Sequence, residues 1–399
     1  MSVERTTVGI VGAGPAGLML SHLLDRAGIV STVVDSRSRH EIETTVRAGI
    51  LEADSVRLLV ESGVSNRVHR DGVPHDGIDL RFGGASHRVD FHDLVGAAAW
   101  LYPQTDVFTD LADARERDGG DVRFEVTDTK VLDATSDSPG VSFTDSSGTA
   151  REVRCDYLVG ADGSRSVCRR EVPEADRSHF FREYPYAWFG ILTDAPKSAA
   201  ELVYAHSPRG FALISQRTET VQRMYFQCDP TEQPDDWSDD RIWAELQARV
   251  AGPDGFHLEE GSITSRTVLP FRSFVAEPMR HGRLLLAGDA AHTVPPTGAK
   301  GLNLALADVR VLAEVLERAV RKRDSDLLDE YEPRALARVW KAQHFSYWMT
   351  TMLHRTDDSS DFDERRQLGE LESVVSSGAG STFLAEAYTG WPARRVTTT

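Results

Sequence analysis

Short apolar runs and amphipathic stretches alternate over the first 35 residues. TTVGIV (6–11) is a β-rich run. GAGPAGLMLSHLLDRAG (12–28) then reads as a tight turn and a helix, with Leu18, Met19, Leu23 and Leu24 at helical spacing. STVVD (31–35) is a second strand, so residues 7–35 predict a βαβ start. Residues 80–93 alternate as exposed antiparallel strands do, and residues 105–118 are helical. Residues 122–158 carry strand-like runs broken by SDSPG and DSSGT, which predicts a β-meander. CDYLVGADG (155–163) is a buried strand that ends in a turn. Residues 184–228 read as aromatic-rich antiparallel strands, followed by an acidic loop and the helix DRIWAELQARV. SRTVLPFRSF (265–274) leads back toward the first domain, and from Gly298 onward the chain is mostly helical.

This pattern predicts an α/β protein. A Rossmann-like domain with a β-meander comprises residues 1–74, 104–183 and 269–348. It is interrupted by an α+β domain with an antiparallel sheet, residues 75–103 and 184–268, and followed by a helical C-terminal region, 349–399.

Composition narrows the class. With 399 residues, 40% hydrophobic and 27% charged, the chain can bury one large or two medium cores. No apolar run approaches the roughly 18–20 residues of a membrane span, and the N-terminus lacks a signal-peptide pattern. Cys155, Cys168 and Cys228 have no metal-like spacing and read as thiols in a reducing cytoplasm; no metal is expected. A net charge of −17 argues against nucleic acid or an anionic membrane as partner. It leaves room for a small anionic substrate held by a few buried arginines.

Gly12-Ala-Gly14-Pro-Ala16-Gly17 is a GxGxxG loop between a strand and a helix, and Asp35 ends the next strand. Gly12 permits the turn, Gly14 lets a pyrophosphate approach, and Gly17 lets helix and strand pack closely. The helix N-terminus offers N–H groups and partial positive charge. Asp35 suits ribose hydroxyls. A glycine turn without a ligand is the plainer alternative, and the motif does not say which dinucleotide binds.

Two further turns bear on that choice. Gly160-Ala-Asp162-Gly163 ends one strand and Gly288-Asp289 another. With the glycine loop they form three fingerprints, and in them the chain resembles the class A flavoprotein aromatic hydroxylases. The resemblance runs from about residue 7 to 391. It is carried by VRAGILE (46–52), RDGVPHDG (70–77), YAHSPRGFALISQR (204–217), residues 272–305 and FSYWMTTMLHR (345–355).

The resemblance implies FAD on Gly12–Gly17, Asp35, Arg47, Gln104, Asp162, Arg223 and Asp289. It makes the first domain FAD-binding and the second substrate-binding. Asp289 faces the ribitol in this reading, although a helix N-cap would also explain an Asp there. Gly298, Lys300, Gly301, Leu302 and Asn303 open a helix whose N–H groups face the pyrimidine edge of the flavin, and the glycines let backbone approach a flat ring.

Ser215 and Arg217 lie two apart on a strand and share a face. By resemblance they and Tyr225 clamp a benzoate carboxylate; without it, a solvated strand face explains them. Tyr204, Tyr388 and His75 resemble a relay that takes the proton of a substrate phenol to solvent, although a buried tyrosine alone is usually core. The carbonyl of Pro296 resembles a further substrate contact. The implied reaction is 3-hydroxylation of 4-hydroxybenzoate to 3,4-dihydroxybenzoate with NAD(P)H and O2, by way of a flavin C4a-hydroperoxide.

The electron donor is where the chain departs from the NADPH-using pattern. Ser36 and Glu41 stand where that pattern has Arg and Tyr, Arg165 replaces a His, and Thr45 replaces an Arg. Glu41 repels a 2′-phosphate, whereas Arg37 and Arg39 attract one; Arg272 is retained as a nucleotide contact. The balance favours NADH. A homodimer is expected from the resemblance, and the helical stretch 326–355 has apolar residues in excess of one face. Three alternatives stay open: the same chemistry on a related hydroxy- or aminobenzoate, a flavin reductase or dehydrogenase, and a flavin-binding module without catalysis.

Overall fold

The computed structural model describes residues 2–45 and 49–391. The strand Ser2–Val11 runs through the middle of an eight-stranded sheet. It pairs in parallel with Ser31–Val34 on one side and Ala150–Gly160 on the other. Asp121–Arg123 and Leu284–Leu286 extend the two flanks, also in parallel. Ser31–Val34 and Leu284–Leu286 are buried at every position, as expected where helices cover both faces of a parallel sheet. Leu18, Met19 and Leu24 of the helix Pro15–Arg26 join Val107, Leu111, Val309 and Leu312 of two longer helices in one core. The meander is present: Thr127–Leu132, Gly140–Thr144 and Ala150–Gly160 pair antiparallel in turn.

A second eight-stranded sheet runs, in spatial order, His292–Thr293, Ser262–Glu277, Ser178–Asp194, Gln222–Cys228, Gly210–Gln216, Leu202–Ser207, Gly77–Phe82 and Ala85–Asp90. All neighbours are antiparallel except Leu202–Ser207 with Gly77–Phe82. One face packs on the helix Asp239–Val250 through Ile214, Met224, Phe226, Ile242 and Leu246. The other meets Tyr331–Leu353, Asp361–Ser376 and Gly378–Thr389 through Trp188, Tyr204, Leu213, Met349, Leu371 and Tyr388.

The expected domain boundaries at 183/184 and 268/269 fall inside Ser178–Asp194 and Ser262–Glu277, which pair along most of their length. The chain therefore passes between the two regions along a shared ladder and not through linkers. Likewise 348/349 falls inside the helix Tyr331–Leu353. The boundary at 74/75 falls inside Val73–His75, a strand of a small sheet with Ile50–Leu51 and Ala99–Leu101. Among the described residues no helix is long and apolar enough to cross a membrane.

Candidate active site

The three fingerprint turns meet at one end of the parallel sheet. Val11 is in register with Gly160, and Gly160 with Leu286. Ala161 N donates to Val11 O at 2.7 Å, and Ala287 N donates to Gly160 O at 2.9 Å. The strands thus end side by side at their carboxyl ends, where open α/β sheets bind ligands.

Each glycine of the first loop has its own reason. Gly12 has φ +108°, and a Cβ there would lie 2.2 Å from Ala161 O. A Cβ on Gly17 would lie 1.9 Å from Gly12 O, so close helix–strand packing demands glycine. A Cβ on Gly14 would meet nothing within 4 Å, which is the open approach a pyrophosphate requires. Gly288 lies between Ala16 and Ala305, so the helices Pro15–Arg26 and Gly301–Lys322 both bring their N-termini to the Gly288–Asp289 turn. Neither N-terminus has a side-chain cap, and their N–H groups remain for a ligand. Gln104, half-buried, opens a third uncapped helix. These observations fit an elongated, doubly phosphorylated dinucleotide.

Asp289 is half-buried on the short turn Gly288–Ala290 and stands at no α-helix N-cap; the helix that follows begins at Gly301, with Lys300 in the N-cap position and no side-chain cap. The turn is set by a residue the sequence reading missed. Asp308 Oδ2 accepts from Gly288 N at 2.9 Å and lies 2.6 Å from His292 Nε2. Burial opposes protonation of His292, but the charge of Asp308 outweighs it and raises the imidazole above its ordinary pKa. A His two residues after Gly288-Asp289-Ala was the available signal.

Several expected cofactor residues have internal partners. Asp162 accepts from Ser166 Oγ, Val167 N and Cys168 N at 2.5, 2.7 and 3.2 Å, so it organises its own loop. Asp35 accepts from Ala13 N at 2.8 Å and from the backbone and guanidinium of Arg37. The side chain of Lys300 is buried, with Nζ 2.7 Å from Glu52 Oε1 and 3.0 Å from Tyr388 O. Asn303 donates to Ile50 O and Ala299 O and accepts from Glu52 N and Ser55 Oγ. What Lys300 and Asn303 offer a ligand is therefore backbone. At Gly298 a Cβ would lie 2.7 Å from Ser346 Oγ, so the close approach of the helix Tyr331–Leu353 also calls for glycine there. Gly301 has open space, as a flat ring would need; Leu302 beside it is half-buried. Arg47 lies outside the described residues.

The second sheet assembles the other half. Tyr204 is in register with Leu213, and Leu213 with Tyr225, so the three form one row across three strands of one face. Two strand spacings put Tyr204 and Tyr225 roughly 10 Å apart along the sheet. Gly190 is next in the row, where a Cβ would lie 2.7 Å from the Tyr225 ring; glycine makes room for the phenol. Ser215, buried, is cross-strand from Arg223, whose Cζ lies 5.1 Å from the centre of the Tyr225 ring. Arg217 stands one residue beyond the strand Gly210–Gln216, its N–H bonded to Val221 O at 2.9 Å. Burial and the neighbouring Arg223 lower the pKa of Arg217. Arg223 Nη1 is buried without a hydrogen-bond partner. Two half-buried guanidinium groups next to one another have the charge that an anion site requires.

At the other end of the row, Tyr204 and Tyr388 share a hydrogen bond of 2.7 Å, both nearly fully buried. Burial raises both phenols above their ordinary pKa, so both stay neutral at neutral pH. Such a pair passes protons on without carrying a phenolate. Tyr388 also stacks on Phe91 at 5.1 Å, and Phe91 N donates to the carbonyl of Asp76, which adjoins His75. His75 is buried, Nδ1 lacks a hydrogen-bond partner, and burial lowers its pKa. It is thus a buried, neutral imidazole one residue from the Asp76 carbonyl that Phe91 N bonds. Pro296 opens the short turn Pro296–Gly298, and its carbonyl already accepts from Ala299 N at 2.9 Å.

His354, another residue the sequence reading did not single out, lies under this face. Burial lowers its pKa to about 3, and Arg249 and His206 work in the same direction. It is therefore neutral in the folded protein, while in the unfolded chain it binds a proton below pH about 6.5. Stability falls as pH drops from about 6.5 toward the folded value, by at most about 1.4 kcal/mol per pH unit from this one group. Denaturant midpoints of the wild type and His354→Gln should converge as pH falls through that window; parallel curves would assign the acid sensitivity to other groups.

The cradle at the end of the parallel sheet and the aromatic, arginine-bearing face of the second sheet together form the candidate active site of a nucleotide-dependent enzyme. The chain belongs to the FAD binding domain family, whose profile matches residues 5–346. It is 44% identical over 393 residues to p-hydroxybenzoate hydroxylase of Acinetobacter baylyi (strain ATCC 33305 / BD413 / ADP1), covering 98% of this chain and 97% of that protein. It is 28% identical over 346 residues to 3-(3-hydroxy-phenyl)propionate/3-hydroxycinnamic acid hydroxylase of Comamonas testosteroni, covering 83% of this chain and 56% of that protein. Among solved structures, p-nitrophenol 4-monooxygenase from Pseudomonas putida DLL-E4 superposes with a TM-score of 0.81 at 20% identity, over 98% of this chain and all of that one (100%), a likeness of fold. The chain is thus a flavin-dependent monooxygenase of the class A aromatic hydroxylase type.

Proposed function

We propose that the protein hydroxylates 4-hydroxybenzoate at the 3-position, giving 3,4-dihydroxybenzoate at the expense of NAD(P)H and O2. The observation that carries this is the single row with a buried tyrosine pair at one end and two arginines by a tyrosine at the other. Its span suits one benzene ring with a polar group at each end. Ser215, Arg217 and Tyr225 hold the carboxylate, Tyr204 receives the phenol, and Tyr388 and His75 take its proton onward. Pro296 borders the substrate, and Gly12, Gly14, Gly17, Asp35, Asp289 and the N–H groups from Lys300 to Asn303 hold the FAD. FAD supplies the redox and oxygen chemistry when bound. The protein fixes the ring, excludes water and moves one proton, which enriches the ortho carbon in electron density.

NADH is the favoured donor. The two cations expected to attract a 2′-phosphate are engaged: Arg37 on Asp35, and Arg39 on Glu43, Asp113 and Glu116. Glu41 is exposed and held by a capping box with Ser38, and Ser36, Arg165 and Arg272 are exposed. We read the active species as a cytoplasmic homodimer; exposed aromatics at Phe180, Trp340, Tyr347 and Phe383 support a second copy as partner.

The test is to mix the FAD-loaded protein with O2, 4-hydroxybenzoate and either nucleotide, and to identify the product. Nucleotide oxidation without 3,4-dihydroxybenzoate would overturn the reading, and faster hydroxylation of an amino- or dihydroxybenzoate would move it to that substrate. Ser36→Arg with Glu41→Tyr should improve kcat/KM for NADPH relative to NADH about tenfold, the value of one modest phosphate contact; an unchanged ratio removes the donor assignment.

A further inference from the structure

The helix Tyr331–Leu353 has a buried polar seam that the catalytic reading does not use. Gln343 Nε2 donates to Thr293 O at 2.8 Å, and Thr350 Oγ1 donates to Thr297 Oγ1 at 2.9 Å. Both partners lie in the loop that leads to the Gly301–Lys322 helix. His354 follows as the C-cap. Spacings of seven and four place the three residues on one side of the helix.

His354 connects that seam to the substrate sheet. Its ring stacks on Tyr186 at 4.8 Å and on Phe211 at 4.4 Å. Trp188 Nε1, which can only donate, lies 2.7 Å from His354 Nε2. Nε2 is therefore the acceptor, and the ring proton is on Nδ1, which donates to Thr350 O at 2.9 Å. Hydrogen bonds thus tie Trp188 to His354 and His354 to the Thr350 carbonyl, while the Thr350 hydroxyl separately bonds Thr297. Trp188 in turn packs on Tyr225 at 4.9 Å, and Phe211 packs on Tyr204 at 6.1 Å.

We propose that Thr350 and His354 are positioning residues that hold the aromatic-acid face of the sheet in register with the 293–298 loop. This rests on the function proposed above. A purely space-filling role needs only a flat ring at 354 and a branched side chain at 350. The hydrogen-bond chain needs an acceptor for Trp188 and a hydroxyl for Thr297.

The experiment measures the dissociation constant for 4-hydroxybenzoate by calorimetry, the product formed per nucleotide oxidised, and the thermal midpoint. His354→Phe keeps the stacked ring and removes the acceptor. It should weaken binding about tenfold, as loss of one buried hydrogen bond does, and lower the product ratio. His354→Gln should restore much of both. In a Trp188→Phe background His354→Phe should weaken binding little further, since the bond is already gone. Thr350→Val reads the chain from its other end should His354→Phe fail to fold: the product ratio should fall, and Thr350→Ser should recover it. A lower thermal midpoint with unchanged binding and product ratio would overturn the inference and leave a packing role. Failure of the wild type to bind 4-hydroxybenzoate would instead overturn the proposed function, and the inference with it.

Discussion

Tyr204→Phe is expected to turn the protein from a hydroxylase into an oxidase of its nucleotide. Nucleotide oxidation continues, hydroxylation slows by about 10²-fold or more, and the reducing equivalents leave as peroxide. The substrate phenol must lose its proton for the ring to attack, and in the proposed function Tyr204 is the group that receives it. Its hydroxyl is 2.7 Å from that of Tyr388 and neither reaches solvent, so no water can replace it cheaply. Removing it also leaves the Tyr388 hydroxyl buried without its partner, which discourages a bypass. Tyr388→Phe should act in the same direction but more weakly, because Tyr204 remains to bond the phenol. Raising pH toward the substrate's own phenol pKa should restore part of the rate in either variant. Product per nucleotide, measured against pH, checks all of this; an unchanged ratio in Tyr204→Phe would remove the relay from the mechanism.

Local chemistry was legible in the sequence; cross-chain chemistry was not. Gly12 has the positive φ of a tight turn, Gly17 packs against Gly12 O, and Gly14 faces open space, all within the motif itself. The strands around Tyr204 and Ser215 were readable from alternation, but the row Tyr204–Leu213–Tyr225 depends on register, which a single strand does not carry. Gly298 has a second constraint that the sequence does not announce. Its neighbour is Ser346, 48 positions away, and nothing near Gly298 announces that helix. Lys300 is expected to offer its backbone N–H; its ammonium, on which the sequence is silent, lies between Glu52 and the Tyr388 carbonyl. A lysine beside a glycine looks the same in sequence whether it points to a ligand or to a distant carboxylate. The expected boundaries at 183/184 and 268/269 lie within Ser178–Asp194 and Ser262–Glu277, where the paired backbone continues across them.

Arg217→Gln is the second large effect, and it separates binding from chemistry. A guanidinium meets a carboxylate with two charge-assisted hydrogen bonds, and in a buried place the pair contributes about 3–4 kcal/mol, which puts the loss of affinity near 10²- to 10³-fold. The surroundings raise that value. Burial already lowers the pKa of Arg217, and Arg223 beside it adds repulsion that an arriving anion relieves. Arg217→Lys should recover only part of the affinity, because an ammonium is a point charge and does not present the planar fork. The neutral analogue 4-hydroxybenzamide supplies the cross-check. It should bind the wild type weakly and Arg217→Gln about equally, since the charge pair is absent in both complexes. Saturating substrate should then restore much of kcat in Arg217→Gln, since Tyr204 and Tyr388 are untouched, whereas no concentration rescues Tyr204→Phe. Equal affinity of wild type and Arg217→Gln for 4-hydroxybenzoate, measured by calorimetry, would place the carboxylate elsewhere on the sheet face and require the row to be read in the opposite direction.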